Sequence, residues 1–258
     1  MKNPFDSAEM AVGYARSRPA VHPRIVERAM GILRAPVGCV LDVGCGAGVS
    51  TRAIAGFAGM TVGVEPVAAM LPFAPAIAPG AYFVAGAAEQ LPFGAGRFDL
   101  LTAAGSLNYV DLEAFWEEAR RVLRPGGHLL VYDFKTARRF GDLDGGADAL
   151  DGWFDGFLRR YPPVVSGRVQ SLDPERLARL ARGFTRVGSE STEIGLEVEP
   201  EFYLEYLLTG TNVAQAVANG AALASIREWC HEGLSAIWQG RARTVLFDAY
   251  WVLLRTAI

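Results

Sequence analysis

The sequence predicts an α/β fold in which a mostly parallel sheet carries helices on both faces. Five short apolar runs, each typical of a buried strand, alternate with helical patterns. A glycine-rich turn at 44–48 directly follows the first run. The chain has 258 residues, of which 51% are hydrophobic and 21% charged, as in ordinary globular proteins. Strands separated by helices favour a parallel sheet.

The elements follow from local patterns. The predicted strands of the first half are 38–43, 60–65, 81–86, 97–104 and 128–134. A helical pattern at 50–58 has Gly59 as its stop, and Asp111 is placed to cap a helix through Leu123 that Pro125–Gly127 ends. In the second half, the predictions are a capped helix at 173–183, a long strand at 185–198, a broken helix or two helices at 212–238, and a strand-like run at 244–257 for which a helix stays possible.

Composition excludes several classes of function. The net charge of −3 comes without a concentrated basic face, so no nucleic-acid partner is expected. No window has the roughly 18 apolar residues of a membrane span, and Met1–Ala11 lacks the apolar core of a signal peptide. Three scattered cysteines predict neither a disulfide framework nor a metal site. A cytoplasmic chain with reduced thiols is expected.

The glycine turn selects a class of ligand. Gly44, Gly46 and Gly48 stand at relative positions one, three and five, whereas a dinucleotide fingerprint needs its third glycine at position six, here Val49. No Gly-Lys-Ser/Thr follows, which excludes a P-loop. Glu65 ends the second strand, 23 residues after Asp42, where an acid can accept hydrogen bonds from ribose hydroxyls. The pattern therefore indicates an adenosine-type ligand with an anionic end.

These segments resemble a known family. "VLDVGCGAGVSTRAIA", "VGVEP", "GAAEQLPF", "RFDLLTAAGSLNYV" and "EEARRVLRPGGHLLVYDF" are similar, in order, to the motifs of class I S-adenosylmethionine-dependent methyltransferases. The resemblance covers roughly Val37–Phe134. More loosely, "YARSRP" at 14–19 resembles the start of the small-molecule branch, which includes ubiquinone/menaquinone-type and trans-aconitate-type methyltransferases.

The resemblance implies a Rossmann-like, doubly wound, seven-stranded sheet, mostly parallel with an antiparallel last strand, plus helical lid insertions. The whole chain, 1–258, is then one methyltransferase domain. Its core covers about 36–135, 165–200 and 241–258, and its insertions about 136–164 and 201–240. Both insertions are rich in aromatic residues, and we expect them to enclose a modest, partly aromatic acceptor or to form a small core of their own.

The resemblance also implies a cofactor site. Asp42 and the backbone of Gly44–Gly46 would hold the methionine end, although Asp42 as a brace of the loop stays open. Glu65 would take the ribose, and Pro66 and Met70 would flank the adenine. The full set is Tyr14, Arg18, Asp42, Gly44, Cys45, Gly46, Glu65, Pro66, Met70, Ala87, Ala88, Glu89, Ala103 and Leu107. Ala87 departs from the family, which usually has an aspartate there to accept from the adenine amino group.

The acceptor side is less clearly marked. The candidate contacts are Asn108, Tyr109, Asp133, Tyr203 and Tyr206. No catalytic residue is assigned. His128 begins the fifth strand and so lies at the edge opposite the site, while His22 and His231 are expected to be structural. Cys45 has no evident histidine partner, and we expect it to pack as a small residue.

The favoured function is transfer of a methyl group from S-adenosyl-L-methionine to a small-molecule acceptor by in-line displacement, with S-adenosyl-L-homocysteine as product. Two alternatives stay open: an NAD(P)-dependent oxidoreductase of related fold, which the glycine spacing and "LRPGG" disfavour, and a non-catalytic protein that binds S-adenosylmethionine. The chain is expected to be a monomer or homodimer.

Overall fold

The computed structural model describes residues 13, 17–33, 36–141, 149–163 and 170–257. They form two compact units, which are treated separately below. The sheet unit holds 22–33, 36–134, 170–192 and 249–257. The helical unit holds 13, 17–21, 135–141, 149–163 and 193–248. The assignment of the whole chain to one domain with two insertions stays a prediction.

The first part of the chain carries five strands and four helices with described bounds. They are α1 (Val21–Met30), β1 (Val37–Val43), α2 (Val49–Ala55), β2 (Ala58–Glu65), α3 (Ala74–Ile77), β3 (Tyr82–Ala85), β4 (Phe98–Ala104), α4 (Leu112–Val122) and β5 (Leu123–Phe134). Short 3-10 turns lie at Leu71–Phe73 and Leu107–Tyr109. All five predicted strands of this part are confirmed.

The later elements include one short strand that the sequence did not predict, β6. They are β6 (Arg139–Phe140), α5 (Ala149–Arg160), α6 (Pro174–Leu180), β7 (Phe184–Val198), α7 (Pro200–Leu208), α8 (Thr211–Ala218), α9 (Leu223–Trp238) and β8 (Arg243–Thr256). The long strand, the capped helix before it and the last strand are therefore confirmed. The alanine-rich stretch forms two helices, separated at Gly220, whose φ is 100°.

The strands of the sheet unit lie in the order β3-β2-β1-β4-β5-β8. β1 to β5 pair in parallel, and β8 pairs antiparallel with β5 from His128↔Arg255 to Phe134↔Ala249. β7 also pairs with β8. The predicted mixed, Rossmann-like sheet with an antiparallel last strand is confirmed. Because the strand order reverses between β1 and β4, the carboxyl ends of these two strands open a crevice at this point.

The central strands are buried on both faces, which explains their continuous apolar runs. Leu41 and Leu101 are fully buried, and Phe115 of α4 packs in the same core. The α4 helix begins where predicted, because Oδ1 of Asp111 accepts hydrogen bonds from the N–H groups of Glu113 and Ala114.

Two predicted boundaries were wrong. α2 ends at Ala55, and Gly59 lies inside β2, where an added Cβ would come within 3.1 Å of the Gly38 carbonyl oxygen. β5 begins at Leu123, before the Pro-Gly-Gly segment that was expected to precede it. The reason is that Leu123 already pairs with Phe98, ahead of a register shift in β4.

The helical unit has its own aromatic core. Trp238 is fully buried, donates its indole N–H to the Val198 carbonyl oxygen at 3.1 Å, and packs on Tyr203 and Phe140. A second group of aromatic rings is formed by Trp153, Phe157, Tyr161 and Trp229. β6 pairs antiparallel with the first half of β8 in this unit. The aromatic insertions thus form a core of their own, one of the two outcomes expected for them.

In the described part of the chain, no helix combines the length and the apolar character that crossing a membrane requires. The same residues contain no group of three or more His, Cys, Asp or Glu side chains placed to hold a metal ion.

The cap of α4 gives a test of the fold. Replacing Asp111 with alanine removes the side-chain acceptor for two helix N–H groups and should lower the free energy of unfolding by about 1 kcal/mol. Urea unfolding followed by circular dichroism measures the change. Asp111→Asn is the control and should keep most of the stability, since asparagine caps helices about as well. Equal losses in the two variants would contradict a capping role.

Candidate functional site

The glycine turn lies at the carboxyl end of β1, next to the reversal in strand order. The φ angles of Gly44, Gly46 and Gly48 are 70°, 53° and 89°, in the left-handed region that side chains disfavour. At Gly44 the space is also closed, because an added Cβ would lie 2.3 Å from Cβ of Ser106. Ser106 in turn donates its hydroxyl to the Val43 carbonyl oxygen at 2.8 Å. The turn therefore needs glycine for conformation and for close approach.

Asp42 sits beneath this turn as a fully buried carboxylate. Its Oδ2 accepts hydrogen bonds from the hydroxyls of Ser50 at 2.6 Å and Thr51 at 2.7 Å, both in the first turn of α2. Its Oδ1 accepts from Thr102 at 2.7 Å, the residue paired with it on β4. Burial raises the pKa of Asp42, and the three hydroxyl bonds oppose that rise. Asp42 therefore joins β1, α2 and β4.

This arrangement changes the role expected for Asp42. A carboxylate at zero exposure with three internal donors is engaged in holding the fold of the site. The expectation that it accepts from the methionine ammonium does not match this geometry, whereas the alternative role as a brace does.

The N–H groups of the turn are engaged as well. Those of Gly44 and Cys45 both donate to the Val64 carbonyl oxygen, at 2.8 and 3.1 Å. That of Gly46 donates to Oε2 of Glu65 at 2.9 Å. The turn is thus fixed by the end of β2, and the expected use of these three groups as donors to a ligand carboxylate does not match the structure.

Glu65 is the second buried acid of the site, with 7% of its surface exposed. Besides Gly46, it accepts at Oε1 from the Val67 N–H at 2.8 Å. Each carboxylate oxygen can accept a further hydrogen bond, so a pair of ribose hydroxyls would find acceptors here. Burial raises the pKa of Glu65, the two backbone N–H groups lower it, and the negative charge of Asp42 raises it further.

Cys45 packs against the neighbouring strand and carries no sign of activation. Its side chain is 4% exposed, and its sulfur would lie 2.7 Å from a Cβ placed on Gly63. Burial raises the pKa of the thiol far above its ordinary value, and the charges of Asp42 and Glu65 add to this. A thiol held protonated is a poor nucleophile, which supports the expected packing role.

The residues predicted to flank the adenine lie near the turn. Cε of Met70 would lie 3.4 Å from a Cβ on Gly46, so Met70 covers this glycine, while Pro66 is exposed. Ala87 is half-buried and forms an isolated bridge with Gln90. Ala88 is part of the core of the sheet unit.

The carboxylate of Glu89 is engaged at the start of α4, while the place of Glu89 in the adenine pocket stays a prediction. Its Oε1 accepts from the N–H of Asp111 at 3.0 Å, directly before α4. The described contact of this carboxylate is thus with the start of α4, and no replacement for the absent aspartate at Ala87 is evident from Glu89.

The end of β4 and the turn after it carry Ala103 and Leu107, the last two residues of the predicted cofactor set. Ala103 and Leu107 are both buried in the core of the sheet unit, and their contact with a cofactor stays a prediction. Close by, Nδ2 of Asn108 donates to Oδ2 of Asp133 at 2.9 Å. Gly105 has a φ of 62°, and a Cβ there would lie 3.0 Å from Oδ1 of Asp133. The structure therefore brings Asn108 and Asp133 together.

The remaining predicted residues divide between the two units. Tyr109 lies in the sheet unit and is 56% exposed. Tyr203 of the helical unit is 1% exposed and donates its hydroxyl to the Ala137 carbonyl oxygen at 2.5 Å, so its predicted contact with an acceptor does not match its place in the core. Tyr206 lies in the same unit with Arg18 stacked over its ring. Tyr14 lies outside the described residues.

Of the histidines, none is placed as a base next to the glycine turn. His22 is buried, with Nδ1 3.1 Å from the hydroxyl of Tyr132, and packs edge-on against Phe134. His128 is half-buried at the amino end of its strand's parallel segment, where burial lowers its pKa and the charge of Arg255 lowers it further. His231 is exposed on α9 of the helical unit.

Sequence reasoning missed the hydroxyl residues that hold the site: Ser50, Thr51, Thr102 and Ser106. A signal was present for two of them, since "ST" opens the helix that follows the turn. Thr102 could be found only from the pairing of β1 with β4, and Ser106 only from the contact of the turn after β4 with Val43.

Comparisons with known proteins identify the family. Residues 41–131 match the model of a methyltransferase domain family. The demethylmenaquinone methyltransferase of Mycolicibacterium vanbaalenii is 30% identical over 210 residues, which cover 77% of this chain and 86% of that protein.

Solved structures show the same fold. A candidate type II methyltransferase from Anaeromyxobacter dehalogenans superposes with a TM-score of 0.69 at 25% identity, covering 93% of this chain and 97% of that one. A phosphoethanolamine N-methyltransferase of Haemonchus contortus, solved with S-adenosylhomocysteine, superposes over 100% of this chain and 61% of its own, with a TM-score of 0.57 at 16% identity. Because a relative that is 30% identical matches most of both chains and residues 41–131 match a methyltransferase domain, the chain belongs to the S-adenosylmethionine-dependent methyltransferase family.

Proposed function

We propose that the crevice beside the glycine turn of the sheet unit binds S-adenosylmethionine and that the chain methylates a small molecule by in-line displacement. The observation that carries the proposal is Glu65, a buried carboxylate already fixed by two backbone N–H groups at the carboxyl end of β2. A ribose needs such an acceptor at this position of an α/β sheet. The relative from Mycolicibacterium is a demethylmenaquinone methyltransferase, which supports a small-molecule acceptor.

The residues present fit the nucleoside half of the cofactor better than its amino-acid half. The oxygens of Glu65 can each accept a further hydrogen bond. Gly46 has no side chain, so a ligand can approach its backbone closely. The donors for the methionine carboxylate must lie elsewhere than in Gly44–Gly46, because Val64 and Glu65 engage those N–H groups.

Methyl transfer of this kind requires little chemical catalysis from the protein itself. The bound cofactor supplies an electrophilic methyl group on a sulfonium, and the chain has to align the acceptor and exclude water. Asn108 and Asp133 are our candidates for polar contacts to the acceptor, since they form a hydrogen-bonded pair next to the end of β4. The carboxylate of Asp133 would accept a hydrogen bond from a hydroxyl or amine of the methyl-accepting molecule. Asn108 would orient the carboxylate of Asp133. We assign no general base.

Cofactor choice tests the proposal directly. S-adenosylhomocysteine should stabilise the protein by about 2.7 kcal/mol when present at a hundred times its Kd, whereas NAD and NADP should not. Differential scanning fluorimetry and calorimetric titration measure this. Stabilisation by NAD(P) alone would overturn the proposal in favour of an oxidoreductase. A screen of small-molecule acceptors with radiolabelled methyl donor then tests transfer, and tight binding with no transfer to any acceptor would favour a non-catalytic binding protein.

The protonation of Glu65 should control cofactor affinity. Ribose hydroxyls donate to the ionised carboxylate, and burial raises the pKa of Glu65 above its ordinary value. The affinity for S-adenosylhomocysteine is therefore complete well above that raised pKa and is lost as the pH falls through it. Glu65→Gln should weaken binding about tenfold at neutral pH, the effect expected for a lost charged hydrogen bond.

The variant supplies its own control. Glu65→Gln has no proton to gain in this range, so its affinity should vary less with pH than that of the unmodified protein. Calorimetric titrations from neutral pH downward compare the two. An equally steep pH dependence in both would show that another group, such as Asp42, governs binding.

The absent aspartate at position 87 gives a third test. Ala87→Asp would restore an acceptor for the adenine amino group and should keep or improve the affinity for S-adenosylhomocysteine, by up to about tenfold for a charged hydrogen bond. Ala87→Asn, of the same size without the charge, is the matched control. If calorimetry shows weaker binding for the aspartate variant and unchanged binding for the asparagine variant, the adenine amino group does not lie at residue 87.

A further inference from the structure

The chain between β3 and β4, residues 86–97 and here called the β3–β4 segment, starts beside Glu65 in the sheet unit. Ala85, the last residue of β3, pairs with Glu65 at the end of β2. The N–H of Gly86 then donates to the Glu65 carbonyl oxygen at 3.2 Å. A nucleoside whose ribose binds the Glu65 carboxylate would therefore lie next to the first residues of this segment.

These first residues can offer a base little besides their backbone. Ala87 and Ala88 carry methyl side chains, so at these two positions only N–H and carbonyl groups can form hydrogen bonds. The side chain of Ala88 is also buried in the core of the sheet unit. Where backbone groups point depends on how the chain is held on either side of them. The contacts that hold the β3–β4 segment therefore decide what a base would meet.

Arg121 of α4 holds the middle of the segment. Its Nη1 donates to the Phe93 carbonyl oxygen at 2.6 Å, and its Nη2 donates to that of Leu91 at 2.9 Å. Through Nε and Nη2 it also donates to the two carboxylate oxygens of Glu118, both at 2.6 Å. A guanidinium has five N–H donors in a rigid fork, so one arginine can bind all these oxygens at once.

Glu118 holds the same segment through an N–H group. Its Oε2 accepts from the N–H of Leu91 at 2.7 Å. The hydrogen bond from Arg121 lowers the pKa of Glu118, so the carboxylate is ionised at neutral pH. Leu91 is thus bound at its N–H and at its carbonyl oxygen, and its side chain is buried. The backbone of this residue is fixed by two side chains of one helix.

We propose that Glu118 and Arg121 are positioning residues for the base of the cofactor and act through the β3–β4 segment. The strand end at Glu65 fixes Gly86, and the two side chains of α4 fix Leu91, so the residues between them are held from both sides. A segment ordered before binding loses little conformational freedom when the ligand arrives, which favours affinity. This inference rests on the proposed function, because it concerns the same ligand.

Arg121→Gln tests the proposal. Glutamine lacks the fork that binds both carbonyl oxygens and the carboxylate, so affinity for S-adenosylhomocysteine should fall about tenfold. Adenosine, which has the base and the ribose without the amino-acid end, should lose the same factor. Calorimetric titration at a temperature where the variant is fully folded measures both affinities, so a loss of stability alone does not lower them. Unchanged affinity for the two ligands, or a loss confined to S-adenosylhomocysteine, would overturn the proposal.

Hydrogen exchange follows the segment without any ligand. In Arg121→Gln, peptides covering residues 86–93 should exchange faster than in the unmodified protein, because the chain there opens more readily once its contacts with α4 are lost. Peptides of β1 serve as the internal reference and should not change. Mass spectrometry measures the exchange. If residues 86–93 exchange at the unmodified rate, Arg121 does not hold the segment and the proposed positioning role is wrong.

Arg124→Gln is the matched control. Arg124 also forms an exposed ion pair, with Asp99, in the same unit. The other oxygen of Asp99 accepts from the N–H of Cys39, near the amino end of β1 and away from the glycine turn. This variant loses a comparable ion pair and should keep its affinity for both ligands. Equal losses in the Arg121 and Arg124 variants would show a general effect of removing a surface arginine, and the assignment to Arg121 would fail.

The unmodified chain separates this proposal from the proposed function. If it binds no S-adenosylhomocysteine, both proposals are wrong. If it binds S-adenosylhomocysteine and Arg121→Gln binds it equally well, the positioning role alone is wrong, and the argument from Glu65 stands.

Discussion

The candidate cofactor site depends on one buried interaction, the carboxylate of Asp42 with three hydroxyl groups. A buried carboxylate without partners would be strongly destabilising, so these hydroxyls are a condition for placing an acid there. They also come from separate elements, Ser50 and Thr51 on α2 and Thr102 on β4. The single acid thereby fixes where the helix begins relative to both strands. The left-handed glycines between β1 and α2 follow from that closure, since the chain has to turn within five residues.

Glu65 completes the arrangement from the other neighbouring strand. It holds the N–H of Gly46, while the Val64 carbonyl oxygen holds those of Gly44 and Cys45. A loop fixed in this way before binding loses little conformational freedom when a ligand arrives, which favours affinity. Because of these hydrogen bonds, the three N–H groups of Gly44, Cys45 and Gly46 are already engaged and cannot serve as the ligand's donors. In the proposed complex, Glu65 would therefore hold the nucleoside as a hydrogen-bond acceptor, and residues outside Gly44–Gly46 would recognise the anionic end.

The fold was predictable because its signals are local. Apolar runs, glycine spacing and the cap at Asp111 each depend on a few neighbouring residues, and they gave the strands, the turn and the start of α4. Positions of single side chains depended on pairing across the sheet. The sequence indicated Asp42 as a contact of the ligand. Its three hydroxyl partners, one of them 60 residues away, cannot be identified from a local pattern. The boundary of β5 was missed for the same reason, since Leu123 extends the strand only by pairing with Phe98.

The helical unit shows how composition can indicate a region without indicating its roles. Tyr203 and Tyr206 are three residues apart on α7, so their rings are neighbours on one helix, 6.3 Å between centres. The Tyr203 hydroxyl donates to the Ala137 carbonyl oxygen in the core, whereas the Tyr206 hydroxyl lies 3.3 Å from that of Thr136. The two tyrosines differ in the part of the chain that packs against each of them. The number of aromatic residues in the sequence does not predict this difference. The two tyrosines therefore differ in their surroundings, although they lie on one helix and belong to the same aromatic stretch.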